Sequence, residues 1–371
     1  MRSYIVVTST GYGGAEKRFL DVFTSLRRSD FDIMLIAPKS LVDQFKMDYS
    51  DRQDVFDSLI DLPMVSWSRL AFVVAFHRLL RTLPRGGSYH YPLNCLWPLH
   101  LGRGDRVSMS MVDCTRVPSL FGGTVASAWS WLSFFFVARI DVLNPSILSA
   151  MHCYRTASKM TLTPGGTYLV PTAAKVISKE PTVVLLGRLM PGKGVEDFIN
   201  ILPDIWSQLR ERAPNRLSFK IAGYGSLEQQ VIARVAVLSS MGVPVSFVGP
   251  ARADALFGTS VVSLSMQEVT NYPSRVVAEA LMAGCGVIVR DTGDSRQFGA
   301  DMPGLLYCSA QLNARELADQ IALLLERVLH GAGFQDAIRF AAYNRFSSEQ
   351  YIDYFRKVMG SKTVVVDGDK E

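Results

Sequence analysis

The stretch Thr182-Val183-Val184-Leu185-Leu186-Gly187-Arg188-Leu189-Met190-Pro191-Gly192-Lys193-Gly194 reads as a strand running into a glycine- and proline-rich turn. Five consecutive β-branched or aliphatic residues suit a strand covered on both faces, as in a parallel sheet. The segment 195–212 that follows has helical spacing, so the unit is strand, turn and helix. The alternation continues downstream, with strands expected at 218–222, 245–248, 260–264 and 286–289. Helices are expected at 227–240, 274–283 and 314–330, with a short one before 260 and an amphipathic segment at 348–359. Upstream, Tyr4–Thr8 is a strand pattern, the turn Thr10–Gly14 leads into a helix to about Arg28, and Asp32–Ala37 is the next strand. Leu70–Leu83 is amphipathic and Arg106–Met111 is a short strand, whereas Pro84–Pro118 is rich in Gly and Pro and shows no clear period. The pattern predicts an α/β chain of two Rossmann-like, doubly wound domains facing each other across a cleft. The expected boundaries are 1–170, then 171–347 after a linker-like stretch at Val170–Lys179. Residues 348–371 would supply a C-terminal helix packing back on the first domain, and a tail.

With 371 residues, 48% of them apolar and 20% charged, the chain is too apolar for a disordered protein and long enough for two cores. The net charge of +5 is unevenly placed. Residues 1–170 hold 18 Lys and Arg against 13 Asp and Glu, and residues 171–371 hold 21 of each. The basic excess is thus confined to the first half, which points to different partners for the two halves. Basic residues are interleaved with acids and no recognition motif appears, so nucleic acid is disfavoured as a partner. Five scattered cysteines without a CxxC pair suggest a reducing compartment. The start shows no signal-peptide pattern, and the longest apolar run, Trp129–Ala138, is too short for a span. A cytoplasmic protein is expected.

Three segments carry groups suited to chemistry. Gly11-Tyr12-Gly13-Gly14-Ala15-Glu16 joins a strand to a helix, where backbone N–H groups can approach an anion. A dinucleotide site would also need an acid at the end of the second strand. That strand ends in Ala37-Pro38-Lys39, against a dehydrogenase. Arg188 and Lys193 flank a Pro-Gly turn before a helix, a candidate diphosphate clamp. Ser265-Met266-Gln267-Glu268-Val269-Thr270-Asn271-Tyr272-Pro273-Ser274-Arg275 then leads into a helix with Glu279 in its second turn. A carboxylate among small apolar neighbours needs a dedicated partner, and ribose hydroxyls would serve.

In order, GGAE, GRLxxxKG and NYPSxxxxEALMAG followed by GVIV resemble the retaining, nucleotide-sugar-dependent glycosyltransferases of GT-B fold, family 4-like (glycosyl transferases group 1). The resemblance is strong over 183–289 and weak over 63–171. It implies that Glu279 binds the donor ribose and that Arg188 and Lys193 hold the diphosphate, with Gly13 and Gly14 beside it. It also implies that Val248, Gly249 and Pro250 border the base and that Gly223–Gly225 line the same pocket. Where the family commonly has a second glutamate eight residues before Glu279, this chain has Asn271, with Glu268 three residues earlier. Either Glu268 or Asn271 would then hold the sugar hydroxyls, helped by the backbone N–H groups of Tyr272 and Ser274. Where relatives carry a mid-domain histidine near the sugar, Asp113 is the nearest polar candidate, with His90 and His100 as outside options. Asp113, Glu268, Arg188 and Lys193 are therefore the candidate catalytic groups.

The resemblance implies transfer from a UDP- or GDP-sugar to a hydroxyl of a glycan or lipid-linked acceptor, with retention, in bacterial surface polysaccharide or glycolipid assembly. No DxD-type metal motif is apparent, and no metal or cofactor is expected beyond the donor substrate. The basic first half, and Leu70–Arg85 with Arg69, Arg78, Arg81 and Arg85, suit an anionic membrane surface at the inner face of the plasma membrane. Alternatives are a GT-B nucleotide-sugar epimerase or a non-catalytic sugar-binding subunit in which the Glu268/Asn271 change marks lost activity.

Overall fold

The computed structural model describes residues 2–9, 13–50, 53–62, 68–92, 94–111, 125–151, 157–164, 167, 169, 178–212 and 216–359. They form two compact units, the second made of Pro171–Ser347 with Gly165–Thr167, and the chain returns to the first at Ser348.

The first unit is built on strands β1 (Ser3–Val6), β2 (Ile33–Pro38), β3 (Leu59–Leu62), β4 (Ser88–Tyr91), β5 (Arg106–Met111), β6 (Arg139–Val142) and β7 (Met160–Leu162). Its helices are α1 (Gly14–Arg28), α2 (Lys39–Asp48), α3 (Arg69–Thr82), α4 (Val125–Phe136) and α5 (Pro145–Met151). All pairings are parallel, in the order β3-β2-β1-β4-β5-β6-β7. Helix α1 forms because Phe19, Leu20, Val22, Phe23 and Leu26 make one apolar stripe, buried with Ile5, Val7 and Leu35 of the sheet. Arg27 and Arg28 close its last turn, where the helix dipole favours cations. The other sheet face is covered by Phe72, Phe76 and Leu80 of α3 and Phe134 of α4.

In the second unit the strands are β8 (Glu180–Leu186), β9 (Ser218–Ala222), β10 (Val245–Gly249), β11 (Ser260–Ser265), β12 (Gly286–Arg290) and β13 (Leu305–Cys308). Helices α6 (Val195–Leu209), α7 (Glu228–Ser240), α8 (Ala253–Thr259), α9 (Arg275–Met282), α10 (Ala314–His330) and α11 (Phe334–Phe346) alternate with them. This sheet is again parallel, in the order β10-β9-β8-β11-β12-β13. The last helix, α12 (Ile352–Met359), belongs to the first unit, where Phe355, Val358 and Met359 are buried against α1 and its neighbours.

Two features add to the reading of the sequence. The linker-like stretch ends on a buried residue: Lys179 is buried and its ammonium donates to the carbonyls of Phe257 (2.6 Å) and Ala283 (2.9 Å). The unreadable region contains β4, a fully buried strand of sequence SYHY. Polar residue types alternate along it, which is why no apolar pattern marks it. His90 lies between the hydroxyls of Ser108 (2.9 Å) and Ser110 (3.0 Å), and Tyr91 bonds His100 (2.6 Å).

Candidate active site

Strands β8 and β11 pair directly although β9 and β10 lie between them in sequence. Here the order of the sheet reverses, so the loops leaving β8 and β11 diverge and open a crevice at the carboxyl edge. The loops concerned are Gly187–Gly194 and Met266–Ser274.

The first loop is fixed by backbone contacts that only glycine allows. Gly223 has φ +139°, and a Cβ there would stand 1.8 Å from the Gly187 carbonyl oxygen. Without one, the Leu189 N–H reaches the Tyr224 carbonyl (2.9 Å) and the Gly187 N–H reaches that of Ala222 (3.1 Å). Gly194, the N-cap of α6 at φ +75°, is equally close to the Met266 carbonyl. The loops are also joined by the Glu268 N–H to the Gly192 carbonyl (3.1 Å).

On this frame Arg188 is exposed and makes no ion pair among the described residues. Lys193 is partly buried, and its ammonium donates to Gln267 Oε1 (2.6 Å). Burial first, and the neighbouring Arg188 second, hold Lys193 below the usual lysine range. Two cations are thus kept together with no carboxylate paired to either among the described residues, an arrangement suited to an anion. Arg290, at the end of β12, was missed by sequence reasoning, but Asp197 neutralises it (2.7 Å). The missed residue that matters is Gln267, whose neutral amide orients Lys193 without cancelling its charge.

Asn271 does not offer its side chain to a sugar. Its Oδ1 accepts from Ser265 Oγ (2.7 Å) and the Gln267 N–H (3.1 Å), and its Nδ2 donates to the Arg290 carbonyl (2.7 Å). Buried to 1% exposure, it is the internal brace of its loop. The Tyr272 N–H is likewise engaged, by Thr270 Oγ1 (3.1 Å), and the ring is buried against Phe298. Ser274 caps α9 and its N–H has no partner among the described residues. Glu268 is exposed and its carboxylate is unpaired among those residues. Glu279 lies one turn inside α9, where Arg275 Nε donates to its Oε1 (2.6 Å). Its other oxygen keeps full capacity to accept, and the arginine fixes its direction. Gly223, Val248 and Gly249 stand together at the edge, joined by the Gly223 N–H to the Gly249 carbonyl (2.8 Å), with Val248 and Tyr224 exposed beside them.

In the first unit the sheet order reverses between β1 and β4, which places Gly13 and Gly14 at the corresponding carboxyl edge. The first turn of α1 holds the Glu16 carboxylate, which accepts from Ser9 Oγ (2.6 Å) and the Gly13 N–H (3.0 Å). That glycine N–H therefore serves the protein's own carboxylate. Asp113 lies outside the described residues. His90 is buried among serines and pushed down to about 4 by burial, and His100 pairs with Asp105 (2.9 Å). Both are structural. No group of three or more His, Cys, Asp or Glu among the described residues could hold a metal ion.

Residues 180–327 match the family model described as glycosyl transferases group 1. No curated protein matches the sequence at a significant level. Among solved structures, Anabaena HepE in complex with UDP and glucose has a TM-score of 0.73 at 15% identity, over 97% of this chain and all (100%) of that one. The pneumococcal O-GlcNAc transferase GtfA in complex with UDP and GlcNAc gives 0.70 at 10%, over 96% and 98%. A glycosyltransferase from Rickettsia africae gives 0.68 at 14%, over 97% and 99%. At such identities the likeness is one of fold. Residues 180–327 are thus similar to glycosyl transferases group 1, in a chain with the fold of the GT-B glycosyltransferases.

Proposed function

We propose that this protein transfers a glycosyl group from a UDP- or GDP-sugar to a hydroxyl of a glycan or lipid-linked acceptor, with retention of anomeric configuration. The observation that carries this reading is the pair Arg188 and Lys193, held uncompensated at the switch point of a parallel sheet. Such a pair suits a diphosphate, and its charge is most useful as the diphosphate leaves. Glu279, aimed by Arg275, would accept from the ribose hydroxyls through its second oxygen. Glu268 and the Ser274 N–H are the groups left to meet the sugar once Asn271 and Tyr272 are engaged inside the loop. Asp113 is the proposed polar group of the first unit at the transferred sugar. Val248, Gly249 and Gly223 would border the base. UDP is the first nucleotide to test, since the similar HepE and GtfA structures contain it.

Positive charge from these side chains is proposed to replace a divalent cation. Activity should therefore persist in excess EDTA, and loss restored by magnesium or manganese would contradict this. A role at the inner face of the plasma membrane in surface polysaccharide or glycolipid assembly follows from the acceptor class proposed. The test is release of free nucleoside diphosphate from a panel of UDP- and GDP-sugars with saccharide acceptors, and NMR of the new anomeric centre. A product with inverted configuration would overturn retention. One observation favours a second reading: the position of the family's first glutamate is a structural asparagine. Tight donor binding with no turnover for any acceptor would identify a non-catalytic binding subunit.

A further inference from the structure

Helices α3 and α4 cover the same face of the first sheet, with Phe72, Phe76 and Leu80 of one and Phe134 of the other in a single core cluster. Their outward sides are unlike the rest of the unit. On α3, Leu70, Val74, His77, Arg78 and Arg81 recur at helical spacing on the solvent side, and Leu70 is 74% exposed. On α4, Trp129, Leu132, Phe135 and Phe136 do the same, with Phe135 46% and Phe136 50% exposed. Between them runs the turn Trp97–His100, whose Trp97 ring stacks on Phe136 at 3.7 Å and faces Trp129 at 5.9 Å. Leu101, next in the chain, is also exposed. Large aromatic and aliphatic side chains thus stand in water on neighbouring elements of one layer.

The charge of this layer is one-sided. From Leu62 to Ile140 the sequence has eight arginines and two acids, Asp105 and Asp113. Asp105 is buried and engaged by Arg103 (2.8 Å) and His100. Arg69, Arg78, Arg81 and Arg85 are exposed and form no ion pair among the described residues. The outer faces of α3 and α4 contain no acidic residue at all. The basic excess of the first half of the chain thus falls within the stretch of sequence that supplies α3, the turn Trp97–His100 and α4. No helix among the described residues is long and apolar enough to cross a membrane.

We infer that this layer is a docking surface for an anionic lipid bilayer. The arginines of α3 meet headgroup phosphates while Trp129, Leu132, Phe135 and Leu70 enter the interfacial region. Guanidinium forks pair with phosphates, and indole and phenyl rings favour the boundary between headgroup and acyl chain. A soluble acidic partner would answer the arginines but not the apolar stripe, and a second copy of this chain would bring its own arginines against these. The surface extends to α4 the membrane expectation attached to the basic first half and Leu70–Arg85, and it stands independently of the glycosyl-transfer reading.

The test is co-flotation of the full chain with vesicles of phosphatidylcholine alone and with 30 mol% phosphatidylglycerol, about that fraction being enough to give a clearly negative surface. Binding is expected only to the anionic vesicles, and should fall as salt rises through the screening range. The Arg78→Gln/Arg81→Gln variant should bind about 25-fold more weakly, near fivefold for each charge removed. Leu132→Gln/Phe135→Gln should reduce binding while leaving its salt dependence in place, and Met47→Gln on α2 should change nothing. Thermal melts and UDP titration of each variant report whether the fold and the donor site are intact. Equal binding to neutral vesicles, no binding to either, or concentration-dependent dimerisation abolished by Leu132→Gln/Phe135→Gln would each overturn the inference.

Discussion

Lys193→Met separates a ligand site from a structural lysine, because the two readings require opposite signs. In the free protein the Lys193 ammonium is partly desolvated beside a like charge, and its one side-chain partner is the neutral Gln267. Replacing it with an apolar chain of similar length removes a desolvation cost and a repulsion, and leaves Gln267 Oε1 near enough to water to be hydrated. Stability should stay within about 1 kcal/mol of the parent or rise above it. Nucleotide binding should move the other way. A charge-assisted hydrogen bond contributes about 1.5–3 kcal/mol, so UDP affinity should fall about 10- to 150-fold. The assays are a urea titration without nucleotide and calorimetric titration with UDP. The lowered lysine pKa adds a pH signature: the parent's affinity should decline on the alkaline side before the ordinary lysine value of about 10.4, and the variant should lack that limb. A variant destabilised by about 2 kcal/mol or more with unchanged UDP affinity would refute the reasoning.

Gly223→Ala would place a methyl 1.8 Å from the Gly187 carbonyl, so the loop must move by more than an ångström. Glycosyl transfer should then slow about 100-fold, the loss of rate that a misplacement of that size can cause, read by release of nucleoside diphosphate. Asn271→Ala removes a buried brace and strands the Ser265 hydroxyl and the Gln267 N–H, at a cost of about 2–4 kcal/mol read from urea unfolding. His90 is neutral when folded, with its pKa at about 4 against 6.5 unfolded. The unfolded state thus binds the extra proton in that window, so stability is intact above pH 6.5 and falls as pH drops toward 4, by about 3 kcal/mol in all. The pH dependence of the unfolding midpoint in His90→Asn should be flatter over that range by the corresponding amount.

The second half was legible because its strands are short apolar runs ending in Gly-rich turns. The segments 182–186, 218–222 and 260–264 fall on β8, β9 and β11, and the helices differ from expectation by a few residues at their ends. What escaped has physical causes. Strand β4 is buried but polar, and the side-chain partners of its His90 and Tyr91 lie 9–20 residues away in sequence. Strand β3 has only four residues, of which one is fully buried. Helix α11 has a weak apolar face and carries Phe340 to solvent, so its period is blurred. At the candidate site, residue types and spacing singled out the cations and Glu279. The structure was needed to show that Asn271 braces its own loop, that Arg275 directs Glu279, and that Gln267 holds Lys193. An asparagine's role depends on which acceptors surround it, and the Arg290 carbonyl and the Thr292 hydroxyl come from a strand end 19–21 residues away. The aromatic layer on α4 was visible as a run of large residues, but its exposure is a property of packing.

The most direct measurement is calorimetric titration of UDP and GDP against the full chain and its Arg188→Ala/Lys193→Ala variant, with folding verified by thermal melt. If the edge between β8 and β11 is the donor site, one nucleotide should bind the parent at a single site. The folded double variant should then lose at least 100-fold in affinity, about the weaker limit of two charge-assisted bonds. Nucleotide affinity unchanged in the double variant, or no binding of either nucleotide to the parent, would contradict the assignment.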